Sequence, residues 1–147
     1  MATKKFATSA QIENTPQAVI DYVADPRNRP AYFTLLKSIS DVKGDPRAVG
    51  ATWKWTFGIL GVDLEGTGRC LKHEPGKLYS FKTEGGIEST FTYKAEPSGK
   101  GTKLIIELEY TVPEKHKSIL PIDSVAESMK KAEAERAVKN LKTILDQ

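Results

Sequence analysis

The chain is 147 residues long, which bounds it to one domain (1–147) around a single sizeable core. Apolar residues make up 39% and charged residues 28%, the balance of a soluble globular protein and not of a disordered, collagen-like or membrane-embedded chain. Its 22 Lys and Arg against 19 Asp and Glu leave a net charge of +3, spread evenly enough that no basic arm points to nucleic acid.

Thr3 to Ile12 reads as a strand, with Phe6, Thr8, Ala10 and Ile12 on one face. Thr15-Pro16 then opens a helix, Thr15 as N-cap and Pro16 at its first position. Val19, Ile20, Tyr22 and Val23 give its apolar face, and Asp25-Pro26 ends it. Residues Pro26 to Phe33 have room for one more short helix. Asp25 and Arg27 there read as capping and turn residues.

Residues 35–112 read as β throughout. Expected strands are Leu36–Val42, Ala51–Leu60, Val62–His73, Leu78–Thr83, Ile87–Glu96 and Thr102–Val112, separated by Gly- and Pro-rich turns. Connections this short make antiparallel neighbours. Trp53, Trp55 and Phe57 share one face of the second of these strands; Phe81, Phe91 and Tyr93 fall on apolar faces of later ones. Gly58 and Gly61, and Gly66 and Gly68, read as bends or bulges.

From about Ile122 the period becomes helical, opened by Ser124-Val125-Ala126-Glu127 and unbroken by Gly or Pro to Gln147. The apolar stripe of this helix shifts part-way. Ile122, Val125, Ala126 and Met129 share one face; Ala134, Val138, Leu141 and Leu145 share another, rotated by about a quarter turn. The first stripe would continue through polar Glu133, Arg136 and Asn140. The second half therefore reads as plain packing on the sheet, the first as the wall of a cavity.

The order β-α-α-β6-α carries a resemblance. Thr15-Pro16-Gln17-Ala18-Val19-Ile20-Asp21-Tyr22-Val23-Ala24-Asp25-Pro26, with Pro30-Ala31-Tyr32-Phe33, resembles the opening helical segment of the START/Bet v 1-like (SRPBCC) superfamily, the polyketide cyclase/dehydrase-like proteins. Gly50-Ala51-Thr52-Trp53, His73-Glu74-Pro75-Gly76-Lys77-Leu78, Gly99-Lys100-Gly101-Thr102-Lys103-Leu104 and Asn140-Leu141-Lys142-Thr143-Ile144-Leu145 resemble further structural signatures of that family. The resemblance spans essentially the whole chain. It implies an α+β helix-grip fold: a curved seven-stranded antiparallel sheet around a long C-terminal helix, with two short helices after strand 1. It also implies a hydrophobic cavity of the kind in which members bind lipids, sterols, hormones or polyketides, a minority doing chemistry there. Fold does not decide between these.

The expected ligand wall is Tyr32, Trp53, Trp55, Phe57, Leu64, Phe81, Phe91 and Tyr93 from the sheet side, and Ile122, Val125 and Met129 from the helix. Trp53, Trp55, Tyr79 and Tyr93 would orient a polar group through their N–H and O–H. Arg136 and Tyr93 are the catalytic candidates. Arg136 is either a solvated salt-bridge residue or, if inward, a holder of a carboxylate or enolate.

No metal and no cofactor is expected. Cys70-x-x-His73 offers two ligands with nothing to complete a tetrahedral set, and His73, before a turn, reads as solvated. Cys70, the one cysteine, reads as a buried inert thiol in a chain suited to a reducing, cytoplasmic compartment. No apolar run reaches the ~20 residues needed to span a bilayer. The expected partner is a small hydrophobic ligand, with no nucleic acid and no stable membrane insertion; the chain is read as a monomer or weak homodimer. Binding of that ligand is the first function, cofactor-independent polyketide cyclase/dehydrase chemistry the alternative, and a protein-interaction module the third. A cavity under about 100 Å³ would sink both ligand readings, since ligand pockets run to about 300 Å³ or more.

Overall fold

In a computed structural model of the chain, residues 3–45, 47–59, 61–85, 88–111 and 123–146 are described. Strand β1 (Thr3–Ile12) leads into helix α1 (Pro16–Val23) and a 3-10 segment (Pro26–Ala31). Six strands follow: β2 (Leu36–Lys43), β3 (Thr52–Ile59), β4 (Val62–Glu74), β5 (Leu78–Gly85), β6 (Glu88–Ser98) and β7 (Gly101–Thr111). Helix α2 (Asp123–Leu145) completes the order. Each expected element is present, with ends moved by one or two residues.

The strands form one sheet in the order β1-β7-β6-β5-β4-β3-β2, every neighbouring pair antiparallel. The meander thus runs from β2 to β7, and β1 closes against the last strand, Phe6 opposite Leu108 and Ile12 opposite Thr102. The period-two pattern of β7 buries Leu104, Ile106, Leu108 and Tyr110 on the concave face, each such side chain worth roughly 1.5–3 kcal/mol when fully buried. In α1 the Thr15 hydroxyl accepts the Ala18 N–H at 3.1 Å, as its capping position requires.

Helix α2 is pinned at its C-terminal end. Asn14 Nδ2 donates to Leu145 O, the Glu13 N–H donates to Asp146 Oδ1, and Lys142 Nζ donates to Gln11 O, each at 2.9 Å. Ala134, Ala137, Val138, Leu141 and Leu145 are its buried face, the second stripe of the sequence pattern with Ala137 added. Ile122 lies outside the described residues; Val125 and Met129 belong to α2, but their side chains lie outside them.

The expectation that Gly66 and Gly68 mark bulges is corrected. The β3–β4 ladder runs without a register shift, Trp53 opposite Gly68 and Trp55 opposite Gly66. A Cβ on Gly68 would strike the Trp53 indole, and one on Gly66 the Trp55 indole and the Glu84 carbonyl. The glycines are seats: each missing side chain leaves the room in which a cross-strand indole lies flat. The irregularity in β4 falls instead between Cys70 and Lys72. It turns His73 inward, against Tyr79 (ring centroids 6.1 Å apart), with Nε2 buried and unpartnered. His73 is therefore half-buried, with one ring nitrogen withdrawn from solvent, and not the freely solvated residue expected. Cys70 is buried, and burial pushes its thiol up, which makes it unreactive.

Candidate functional site

The site begins in the 3-10 segment. Asp25 caps it by accepting the Arg27 backbone N–H at 3.0 Å, and Asn28 Nδ2 ties it to the Tyr22 carbonyl at 3.0 Å. The N–H groups of Tyr32 and Phe33 both donate to the Arg29 carbonyl. That local geometry puts Arg29, Tyr32 and Phe33 on one inward face. Arg29 is 4% exposed, although arginine is almost never buried unless paired.

The buried guanidinium sits in an aromatic box. Its carbon lies 3.8 Å from the Phe81 ring centroid and 5.6 Å from that of Trp53, a cation–π arrangement. Tyr32, Tyr79 and Tyr93 stand around it close enough to act on its charge. Burial pulls the guanidinium down, these tyrosine oxygens outweigh that pull, and the group stays a cation. Burial conversely pushes the hydroxyls of Tyr32, Tyr79 and Tyr93 up, with Arg29 opposing in each case. At physiological pH they are neutral. Tyr32 and Tyr93 share a hydroxyl–hydroxyl hydrogen bond of 3.3 Å.

Hydrogen bonding inside the box is incomplete. Arg29 Nε and Nη2, Trp53 Nε1 and the Tyr79 hydroxyl are buried with no hydrogen-bond partner. Most buried polar atoms of a folded protein are satisfied, so four orphans in one cluster call for an explanation. Trp55 differs: its Nε1 donates to the Thr67 carbonyl at 2.9 Å, and it is not available to orient a ligand.

Beside the box opens an apolar pocket of about 60 Å³. Arg29, Phe33 and Leu36 line it, with Trp55, Phe57, Phe81, Phe91 and Leu108 from the sheet, and Glu133 and Ala134 from α2. Thr83 and Ser89, hydrogen-bonded to each other, add its neutral polar groups. Of the expected wall, Trp55, Phe57, Phe81 and Phe91 line this pocket. Tyr32, Trp53 and Tyr93 stand in the box, and Leu64 is buried in the core away from the pocket lining. The volume falls under the ~100 Å³ threshold set for both ligand readings, so the interior in this conformation counts against them; Phe81 and Phe91 stack at 4.8 Å and Phe33 packs edge-on against Phe91, which fills the space. As it stands it holds a group of a few heavy atoms.

Of the two readings of Arg136, the structure shows the salt-bridge residue and not the inward holder of a carboxylate or enolate. Its side chain is half exposed and directs Nη2 to Glu133 Oε2 at 3.2 Å. Glu133, its polar neighbour on the stripe, is the buried one at 2% exposure. Its carboxylate accepts the backbone N–H groups of Thr34 and Leu35 and the Thr34 hydroxyl. Asn140, the third polar member, donates to the Tyr32 carbonyl at 3.1 Å. The polar continuation of the first stripe thus staples α2 to the chain that carries Arg29, Tyr32 and Phe33.

Arg29 is the residue sequence reasoning missed. Its signal was the spacing Arg29-x-x-Tyr32-Phe33 between helix-capping and proline residues, but a charged residue on an inward turn is indistinguishable from an outward one without the packing. Among the described residues no group of three or more His, Cys, Asp or Glu lies together to hold a metal ion, and no helix is long and apolar enough to cross a membrane.

A family profile described as "Polyketide cyclase / dehydrase and lipid transport" matches residues 3–146. The chain belongs to this family. A search of curated proteins finds no match. Among solved structures, the protein TTHA0849 from Thermus thermophilus superposes with a TM-score of 0.79 at 16% identity, over 95% of each chain. The Zhui aromatase/cyclase from Streptomyces sp. R1128 gives 0.76 at 8% identity, over 98% of this chain and 94% of that one. The major latex-like protein 151 from Panax ginseng gives 0.72 at 12% identity, over 97% of both. At these identities the likeness is one of fold.

Proposed function

We propose that the protein binds a small, mainly apolar ligand between the sheet and α2, with Arg29 receiving its polar end. The observation that carries this reading is the empty Nε/Nη2 pair of Arg29 beside an aromatic-lined pocket. A buried charge with no counter-charge and two donors unfilled is costly. A filled interior serving only as a scaffold for partner proteins gains nothing from that cost, whereas a binding site recovers it when the ligand arrives. The 60 Å³ of free volume counts against this reading as the interior stands, so the reading requires that a ligand of ordinary size displace the stacked phenylalanines or the α2 wall.

The alternative is cofactor-independent cyclase or dehydrase chemistry, the reaction class named in the family description. Arg29 and the neutral Tyr93 hydroxyl would polarise a carbonyl in such a reaction. That chemistry also needs a base, and the one carboxylate among the described pocket-lining residues, Glu133, is already engaged by Thr34, Leu35 and Arg136. Binding is therefore the stronger reading.

Native mass spectrometry of the freshly purified protein, followed by thermal shifts with fatty acids, sterols and aromatic polyketides, tests it. A co-purified small molecule, or a saturable rise in melting temperature, is the expected result. A protein that carries nothing and responds to no compound overturns the ligand reading. Turnover of a poly-β-ketone lost in Tyr93→Phe would instead favour the enzyme.

A further inference from the structure

The chemistry of the ligand's polar end follows from which atoms of Arg29 are left open; this inference rests on the ligand reading above. Nε and Nη2 occupy one edge of the planar guanidinium and present two parallel N–H donors, a spacing that matches the two oxygens of a carboxylate. The same edge is in use twice elsewhere in the chain. Arg27 sends Nε to Asp25 Oδ1 at 3.0 Å and Nη2 to Asp25 Oδ2 at 2.9 Å. Arg47 closes Nε and Nη2 on the Asp21 carbonyl at 3.2 and 3.0 Å. Only in Arg29, the buried member of the three, are both atoms of that edge without an acceptor.

We propose that the ligand ends in a carboxylate which Arg29 grips on its Nε/Nη2 edge, so that the interior selects amphiphilic monocarboxylates over alcohols and esters of the same length. A neutral carbonyl can take both donors on one oxygen, as the Asp21 carbonyl does for Arg47, but it leaves the buried cation without a counter-charge, and its hydrogen bonds are roughly half as strong as those to an ionised acceptor. A phosphate brings a further charge and further oxygens, while Glu133 adds a negative charge on the α2 wall and no second cation is among the described pocket-lining residues. The other polar groups lining the pocket, Thr83 and Ser89, are uncharged. The rings of Phe81 and Trp53 cover the guanidinium and exclude water from the pair once it forms, which strengthens a charge-assisted hydrogen bond. The apolar lining, from Phe33 to Leu108, then takes the body of the ligand.

Isothermal titration with octanoate, octan-1-ol and methyl octanoate tests this on the unaltered protein. Octanoate is expected to bind about 10- to 100-fold more tightly than octan-1-ol, the range of a charge-assisted bidentate contact. In Arg29→Lys, which keeps the charge and loses the fork, the acid-to-alcohol ratio falls about tenfold; in Arg29→Met it falls to one or below. Should either variant fail to fold, the ratio in the unaltered protein decides alone. Alcohol and ester binding within twofold of the acid overturns the carboxylate grip and leaves the ligand reading standing. Binding of none of the three, together with a silent thermal-shift panel, overturns the ligand reading itself.

Discussion

On one wall of the pocket α2 supplies Glu133, whose carboxylate takes up two backbone N–H groups, a threonine hydroxyl and the Arg136 guanidinium. On the other wall the 3-10 segment supplies Arg29, equally buried, with two donors left empty and only ring faces and neutral tyrosine hydroxyls around it. Burial is the same and satisfaction is opposite. A buried charge with its hydrogen bonds filled fixes structure, and removing it strands its partners. A buried charge held open works against stability, and its retention points to something that arrives later. The contrast separates the staple from the site more sharply than exposure or residue type does.

The largest effect expected from breaking this contrast lies on the Glu133 side. Glu133→Ala leaves the Thr34 and Leu35 N–H groups without their acceptor and should cost about 3 kcal/mol in urea denaturation. Glu133→Gln, which keeps one acceptor oxygen, should cost about 1 kcal/mol. Equal losses in the two would mean that the carboxylate's hydrogen bonds are not what holds α2.

Next in size is the indole seat behind Arg29. Gly68→Ala places a methyl group in the Trp53 ring, and overpacking of this kind costs about 2 kcal/mol. Tryptophan fluorescence should shift as Trp53 is displaced from the box. An unchanged emission spectrum and midpoint would remove the seat from the account.

Arg29→Met should act in the opposite direction. With no hydrogen bond lost at Nε or Nη2 and an unpaired charge relieved, the ligand-free protein should gain about 1 kcal/mol, net of the cation–π contact. A loss of 2 kcal/mol or more, measured by the same urea titration, would make Arg29 a second staple and erase the comparison.

The smallest effect concerns Asp25, the carboxylate that fills the fork of Arg27. Burial pushes its carboxyl up, but the Arg27 guanidinium and backbone N–H outweigh this and hold it below its ordinary 3.8. A carboxyl lowered on folding contributes stability that is complete above that value and lost as pH falls through the folded pKa. Asp25→Asn should therefore flatten the acid limb of the stability profile below about pH 4 and change little in its shape at neutral pH. An acid limb identical to that of the parent would show the Asp25–Arg27 pair to be inert.

Most of the architecture was legible in the residues themselves. Alternation in Thr102 to Val112, the Thr15-Pro16 start and the helical period after Ile122 mark their elements without help from the rest of the chain, because they follow from local periodicity and capping. Even the change of stripe along α2 was visible, since Glu133, Arg136 and Asn140 interrupt the apolar face. What those residues do was not. Their spacing leaves Arg136 free to point inward or outward, and the packing sends Glu133 in and Arg136 out to cover it.

Gly66 and Gly68 show the same limit. A glycine within a strand signals missing volume, but the reason here is an indole on the neighbouring strand, which only the β3–β4 register reveals. His73 turned inward through a shift between Cys70 and Lys72 that no residue type there announces. Arg29 lay hidden for a related reason. Its side chain carries every mark of a surface residue, and its burial comes from Trp53 and Phe81, distant in sequence.

The sequence by itself determined the element order, the antiparallel meander, the aromatic concave face and the length of the closing helix, because each depends on the spacing of apolar residues along the chain. Tertiary structure alone decided which charges lie inside, which of them are satisfied and how little space remains between them. Those properties belong to contacts among residues far apart in sequence, where a guanidinium's worth depends on what surrounds it and not on its neighbours along the backbone.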